Sequence, residues 1–118
     1  MIRKLKEQPV ELRENMRGGK GTTAVQQLFA PAEFGASIRL CARLTLPPGA
    51  SIGPHAHEGE DEVYVIVRGI GILSDNGTET TVGPGDSVLT GRGASHSIAN
   101  GGSDPLELIA FIARYPGT

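Results

Sequence analysis

The residues with the clearest chemical potential lie in one short segment, residues 54–62, which reads PHAHEGEDE. His55 and His57 are two of the three histidines in the chain, and four carboxylates follow them within five residues. Imidazole nitrogens and carboxylate oxygens are common protein ligands of divalent metals. Residues i and i+2 of an extended segment project to the same side, so both imidazoles can face one point. The segment is therefore either a solvated acidic loop or part of a site that holds a cation.

The third histidine favours the cation site. His96 lies far along the chain, directly after the glycine-bearing turn GRGAS and at the start of SHSIAN. A His-x-His pair alone is weak evidence for a metal site. Here all three histidines adjoin glycine or proline turns next to strand-like segments, a setting that scattered surface histidines do not need.

The segments that must position these residues are predicted to be strands. Apolar and polar side chains alternate with a period of two through residues 36–46. The run EVYVIVR is rich in β-branched residues, and DNG between GILS and TETTV is a strong hairpin signal. No convincing amphipathic helix is present. Many short strands punctuated by glycine and proline predict an all-β sandwich or barrel.

The N-terminal part differs from the rest. Residues 1–23 are predicted to be an irregular arm with a glycine-bearing turn, RGGKG, and with apolar contacts from Val10, Leu12 and Met16. We expect this arm to pack on the barrel or on a partner subunit. Residues 24–118 are predicted to form the barrel domain.

Composition limits the classes of function. A chain of 118 residues suits one domain, and its net charge of −2 gives no electrostatic case for nucleic acid or an anionic membrane. No apolar run approaches the roughly 20 residues of a membrane helix, and the N-terminus lacks an apolar signal core. Cys41 is the single cysteine, so no intrachain disulfide is possible, and it is interpreted as a small half-buried hydrophobe. A cytoplasmic location is predicted.

Two longer motifs carry a family resemblance. Residues 49–69 follow the pattern Gly, five residues, His-x-His, four residues, Glu, six residues, Gly. Residues 85–100 follow the pattern Gly, five residues, Gly-x-Gly, two residues, His, three residues, Asn. Together they resemble the two motifs of the cupin superfamily, in its small single-domain form. One position departs, because Gly91 stands where the family usually has proline.

The resemblance implies a fold and a ligand set. The implied fold is a double-stranded β-helix, or jelly-roll barrel, of two packed antiparallel sheets, often assembled as a homodimer. The implied site binds one divalent metal ion (Fe, Mn, Ni, Zn or Co) near one mouth of the barrel. Asn100 matches the closing asparagine, interpreted as a structural turn residue. The implied metal ligands are His55, His57, Glu62 and His96.

Several neighbouring residues have two interpretations. Glu58, Glu60 and Asp61 are interpreted first as a solvated loop at the barrel mouth, and alternatively as partners of the ligands or proton acceptors. Tyr64 shares the strand face of Glu62, so its hydroxyl either meets a bound ligand or belongs to a core aromatic. Glu62 and Tyr64 are the candidate catalytic residues.

Strand parity gives further expectations. Ile66 and Ile98 are expected to form apolar walls of the pocket. Arg39 and Arg43 share one strand face, interpreted first as solvent or dimer-edge charges and alternatively as groups that contact an anionic substrate. The two serines that flank His96, Ser95 and Ser97, are expected to point away from the metal.

Two functions remain open at this level. The first is a metal-dependent enzyme of the dioxygenase, isomerase, or decarboxylase or lyase type, acting on a small oxygen-rich metabolite. The second is a non-catalytic domain that binds or senses a small molecule, with the metal as docking point. Fold alone does not decide between them.

Overall fold

The computed structural model of the chain describes residues 1–117, and it contains two antiparallel sheets. The larger sheet has the order β1-β2-β3-β10-β5-β8, and the smaller has the order β4-β9-β6-β7. This architecture confirms the predicted all-β jelly-roll fold. The strands are β1 Val10–Glu14, β2 Thr22–Gln27, β3 Ile38–Leu46, β4 Ser51–Ala56, β5 Glu60–Arg68, β6 Gly71–Asp75, β7 Thr78–Val82, β8 Ser87–Gly91, β9 Ser95–Asn100 and β10 Leu106–Arg114. Three short 3-10 turns, Leu5–Glu7, Met16–Gly18 and Pro31–Glu33, complete the elements.

The core lies between the inner faces of the two sheets. Alternate side chains of β3, β5 and β10 are buried, as the period of two predicts. The central strand β10 pairs with β3 on one side and with β5 on the other. The largest aliphatic side chains of the core, each about 1% exposed or less, are Leu44, Leu46, Ile52, Ile66, Ile98, Leu106 and Leu108.

A tight hairpin joins β6 and β7, as DNG predicts. Asn76 and Gly77 both have positive φ, 50° and 95°. Two central residues with positive φ define the turn whose twist matches that of the flanking strands. The register is thereby fixed, with Asp75 opposite Thr78. Asp75 also lies opposite His96 on the other neighbour, β9.

An irregularity in β3 changes the direction of one side chain. Ile112 of β10 pairs with Leu40, whereas the next residue, Ala113, pairs with Ile38. Arg39 is the extra residue of this β-bulge. A bulge interrupts the strict alternation of a strand and redirects side chains. Arg39 therefore leaves the outer face that it would share with Arg43 in a regular strand.

The N-terminal part is more regular than an irregular arm. Residues 10–14 form β1, which pairs with β2 at the edge of the larger sheet, from Val10 opposite Gln26 to Glu14 opposite Thr22. The chain then makes the turn Met16–Gly18 and passes against β4. The sequence analysis did not predict the pairing, because the strand is only five residues long and all but one of its residues are exposed. The boundary predicted at residue 23 falls inside β2, and the division into arm and barrel stays a prediction.

Residues 1–117 include no helix with the length and apolar character that a membrane span requires.

Candidate metal centre

Four side chains from both sheets meet at one point inside the barrel. His55 lies near the end of β4, His57 follows that strand, Glu62 lies in β5 and His96 lies in β9. Each offers one ligand atom, and these four atoms all lie within 4.8 Å of one another. The fold thus positions the four residues to bind a metal ion.

The separations within the cluster match the spacing of ligands around one ion. His96 Nε2 lies 3.0 Å from the Nε2 atoms of both His57 and His55. Glu62 Oε1 lies 2.8 Å from His57 Nε2 and 2.9 Å from His96 Nε2. Two atoms that each lie about 2.1 Å from a common ion, at right angles, are about 3.0 Å apart. The donors therefore stand close enough to share one cation.

Hydrogen bonds at the far side of each ring set the tautomers. The Nδ1 atom of His55 lies 2.7 Å from the carbonyl oxygen of Gly53, which can only accept a hydrogen bond. His57 Nδ1 lies 2.6 Å from a carboxylate oxygen of Glu60, which also accepts. Both Nδ1 atoms consequently donate, and each neutral ring presents a lone pair at Nε2. His96 Nδ1 lies 2.9 Å from Thr90 Oγ1, which can accept in the same way.

The cluster needs a cation to be satisfied. Glu62 Oε1 is buried and has no hydrogen bond of acceptable geometry, although two imidazole nitrogens lie beside it. Lone pairs of the histidines face the same point, and such an arrangement is costly in a buried site without a positive partner. The residues present therefore fit a divalent metal ion.

The electrostatics of the site favour an ionised carboxylate. Burial by itself raises the pKa of Glu62, but the three neighbouring imidazoles outweigh burial and hold that pKa well below its usual range. Burial lowers the pKa of His57, but contact with the Glu62 and Glu60 carboxylates raises that pKa by a larger amount, so the net shift is upward. A metal that needs neutral imidazole competes with that proton, so binding is weaker at acidic pH.

The Glu60 carboxylate contacts the His57 ring on the side away from the cluster, so the interpretation of Glu60 as part of a solvated loop is wrong. Its side chain is buried and contacts His57 Nδ1 through Oε2. Arg39 donates two hydrogen bonds of 2.8 Å to the same carboxylate. The hydrogen bonds from Arg39 lower the pKa of Glu60 to about 2. Glu60 is thus a fixed anion that orients the ring of His57.

The outer-face interpretation of Arg39 is wrong for a structural reason. The bulge in β3 redirects the side chain toward the mouth of the barrel, where it lines the cavity and binds Glu60. No sequence signal marks that bulge. Arg43 does lie on the outer face, as predicted, where its Nη1 is 3.4 Å from Glu107 Oε1.

Tyr64 lies beside the cluster. Its ring stacks on the His96 imidazole, with ring centres 4.8 Å apart and an angle of 17° between the planes. The side chain is 2% exposed. Burial raises the pKa of the Tyr64 hydroxyl well above its usual value. The inward direction is as predicted, and the catalytic roles of Glu62 and Tyr64 stay predictions.

A small cavity of about 140 Å³ opens onto the cluster. Its apolar walls are Leu40, Leu44, Ile52 and Ile112. Ile66 and Ile98, the predicted walls, belong to the packed core instead. Three arginines, Arg13, Arg17 and Arg39, also line the cavity, and the sequence did not predict the first two as site residues. They come from the N-terminal part, whose path over the barrel no local pattern indicates.

The remaining predicted residues are placed as follows. Glu58 is exposed, in agreement with the solvated-loop interpretation, and Asp61 accepts a hydrogen bond of 2.6 Å from the hydroxyl of Tyr115. A Cβ atom at Gly91 would lie 1.9 Å from Asp61 Oδ1, so the glycine makes room for this contact. Asn100 is confirmed as a structural residue, because it donates to the carbonyl oxygens of Leu46 and Asp104.

Comparison with known proteins identifies the family. The family model described as a cupin domain matches residues 42–112, more than half of the chain. The chain belongs to the cupin family. Among curated relatives, the oxalate-binding protein of Thermotoga maritima is 46% identical to this cupin over 98 residues, which are 83% of this chain and 81% of the relative.

Comparison with solved structures agrees with this family assignment. The crystal structure of a predicted oxalate decarboxylase from Thermotoga maritima superposes with a TM-score of 0.93 and 42% identity, covering 97% of this cupin and 99% of that chain. The polyketide cyclase RemF from Streptomyces resistomycificus superposes with a TM-score of 0.75 at 23% identity, covering 97% of this cupin and 80% of that chain. The second likeness concerns the fold alone.

Proposed function

We propose that this cupin binds one divalent metal ion through His55, His57, Glu62 and His96 and uses the site to bind a small dicarboxylate of the oxalate class. The observation that carries the proposal is a small cavity lined by three members of the metal cluster, His55, His57 and Glu62, and also by three arginines. A divalent ion held there supplies Lewis-acid attraction for carboxylate oxygens.

The size of the cavity supports a very small ligand. Sites for drug-sized molecules have volumes of about 300–1,000 Å³. The cavity of about 140 Å³ is well below that range. A two-carbon or three-carbon acid fits this restriction, whereas a nucleotide or an oligosaccharide does not.

The charge at the cavity supports an anion. Three guanidinium groups and one carboxylate, that of Glu62, are among the residues that line it. A bound divalent ion makes the lining more positive still. Guanidinium groups recognise carboxylates through paired, charge-assisted hydrogen bonds. The name of the Thermotoga relative, an oxalate-binding protein at 46% identity, agrees with this ligand class.

The carboxyl groups at the cavity favour binding over decarboxylation, because none of those described there is placed as a proton donor. Loss of CO₂ from a dicarboxylate leaves a carbon that must receive a proton, so a proton donor has to stand at the ligand. Within residues 1–117, the only carboxyl group that lines the cavity is Glu62, which faces the histidines as an ionised carboxylate. Glu60 is held by Arg39 and His57.

A second candidate is a metal-dependent enzyme, in which the Tyr64 hydroxyl supplies the proton that the reacting carbon receives. This side chain lines the cavity beside His96, and burial keeps its hydroxyl protonated. Decarboxylase, isomerase and dioxygenase chemistry all belong to this candidate. Release of CO₂ and formate from oxalate by the wild type, lost in Tyr64→Phe, would establish it in place of simple binding.

Oxalate binding is the direct test of the proposal. Metal-loaded protein is expected to bind oxalate with a measurable heat in isothermal titration calorimetry, and metal-free protein is expected to bind it at least about 100-fold more weakly. Neutral compounds of similar size, such as ethylene glycol, serve as controls and are expected not to bind. Absence of oxalate binding by metal-loaded protein would contradict the proposal.

A cytoplasmic homodimer without nucleic-acid partners is also proposed. The outer face of the larger sheet carries exposed apolar side chains, namely Val10, Leu12, Val65, Val67 and Leu89. Such a face is typical of a surface that a second copy covers. Sedimentation equilibrium is expected to give a dimer for wild type and for Thr80→Glu, on the other sheet, and a monomer for Val65→Glu. A monomeric wild type would exclude the dimer.

A further inference from the structure

The short segment of residues 15–19, here named the strap, crosses the cavity mouth. Met16 and Arg17 of the strap line the cavity together with His55, His57 and Glu62. Arg17 has φ of 53° and ψ of 32°, a left-handed conformation. That conformation is unfavourable for a residue with a Cβ atom. A strained residue at a cavity mouth is a sound starting point for a functional hypothesis.

The strap is fixed to the strand that carries His55. A Cβ atom on Gly19 would lie 2.1 Å from the carbonyl oxygen of Ser51, and one on Gly53 would lie 2.2 Å from that of Arg17. Only glycine permits backbones to approach so closely. The backbone N–H of Lys20 also donates to Ser51 Oγ, at 2.9 Å. The position of Arg17 is therefore coupled to β4.

The three arginines at the mouth differ in their partners. Arg39 is held by Glu60 through two hydrogen bonds. Arg13 is paired with Glu11, with Nη2 at 3.1 Å from a carboxylate oxygen. Arg17 has no carboxylate partner among residues 1–117. Its guanidinium group is the one of the three that is available to an incoming anion.

We propose that Arg17 is the residue that selects dicarboxylates over monocarboxylates, by pairing with the second carboxylate of the ligand. This inference rests on the proposed function. The paired donors of a guanidinium group match the two oxygens of a carboxylate, and a hydroxyl group in the same place offers no charge to pair with. The strain at Arg17 and the glycine contacts of the strap position that group before a ligand arrives.

The test compares oxalate with glycolate, which replaces one carboxylate by a hydroxymethyl group. Metal-loaded Arg17→Gln is expected to bind oxalate at least 10-fold more weakly than wild type in calorimetric titrations, and glycolate within about 3-fold of wild type. Arg68→Gln is the matched control, because it removes an equal charge from an exposed position outside the cavity lining. It is expected to leave both affinities unchanged.

Two further variants separate recognition from structure. Arg17→Lys keeps the charge without the paired donors, and it is expected to restore part of the oxalate affinity. Gly19→Ala displaces the strap and is expected to reproduce the selective loss, whereas Gly35→Ala, with no atom within 4 Å of its added Cβ, is expected to be neutral. For Arg17→Gln, the metal content of the metal-loaded protein and the melting temperature of the metal-free protein are expected to match those of wild type.

The outcomes distinguish the two hypotheses. Loss of oxalate affinity in Arg17→Gln without loss of glycolate affinity supports the role of Arg17. Equal losses for the two ligands, equal losses in Arg68→Gln, or no loss at all overturn it while leaving oxalate binding by the wild type intact. If the metal-loaded wild type does not bind oxalate, the proposed function itself fails.

Discussion

Replacing His96 by alanine is expected to lower the affinity for a divalent metal by more than about 100-fold, since even residues that only support a ligand are worth about 10-fold to 100-fold. His96 Nε2 lies within 3.0 Å of both other imidazoles and 2.9 Å from Glu62 Oε1, so it is the most central donor. Without the His96 imidazole the metal is bound less tightly, so the buried Glu62 carboxylate loses part of the positive charge that balances it.

Stability follows metal affinity. A metal that binds only the folded state stabilises it by about 4 kcal/mol at a concentration 1,000-fold above its dissociation constant. The melting temperature of wild type is therefore expected to rise when Mn²⁺, Co²⁺ or Zn²⁺ is added, and that of His96→Ala is expected to respond far less. The comparison with each protein's own metal-free form removes the effect of the truncation on packing.

The control for this variant is Ser97→Ala, on the same strand. Ser97 is opposite in parity to His96 and is only partly buried. Metal content is measured by elemental analysis of protein prepared without a histidine tag. Wild-type metal content in His96→Ala, at limiting metal, would show that the cluster is not the metal site.

The second large effect is expected from Glu60→Gln, with metal affinity reduced by about 10-fold to 100-fold. The glutamine oxygen can still accept a hydrogen bond from His57 Nδ1, but the negative charge is gone. The amide group also cannot accept both hydrogen bonds that Arg39 donates at 2.8 Å. His57 becomes a weaker ligand, and Arg39 is released toward the cavity.

Glu58→Gln is the matched control because it removes the same charge from an exposed position two residues away. Metal titrations at constant pH and ionic strength compare the two variants with wild type. If Glu58→Gln and Glu60→Gln lower metal affinity to the same extent, then general electrostatics explains the effect and the hydrogen bond to His57 does not.

The pH dependence of Glu60 has a definite sign. The folded-state pKa of about 2 lies below the ordinary value of 4.5. The unfolded chain therefore takes up this proton first as the pH falls, and the stability due to the ionised group, present above pH 4.5, is lost toward pH 2. Urea unfolding of metal-free protein at pH 7 and pH 3 is expected to show a smaller loss of stability in Glu60→Gln than in wild type.

Much of the site could be predicted from local sequence. The His-x-His pair and the distant His96 stand at fixed distances from turn glycines, and the alternation within β5 and β9 places Glu62 and His96 inside the barrel. Glu62, Tyr64 and His96 are all buried, as parity requires. The all-β fold followed from such patterns, whereas the four-ligand set and the structural role of Asn100 were implied by the resemblance to the two cupin motifs.

What the patterns could not predict depends on departures from regularity and on contacts between distant segments. The bulge at Arg39 reverses the parity of one residue, so the partner of Glu60 was assigned to the wrong face. Parity counting assumes an unbroken ladder of paired residues, and the extra residue that breaks it has no mark in the sequence.

The sequence by itself thus determined the fold class and which residues could bind a metal, because strand periodicity and ligand chemistry are local properties. Only the tertiary structure decided which groups support and surround those ligands. Glu60 contacts His57 and is held there by Arg39 of the distant strand β3. Arg17 lines the cavity because the strap packs on β4 through Gly19 and Gly53. The strap contacts join residues more than 30 positions apart, and such contacts form only when the chain has folded.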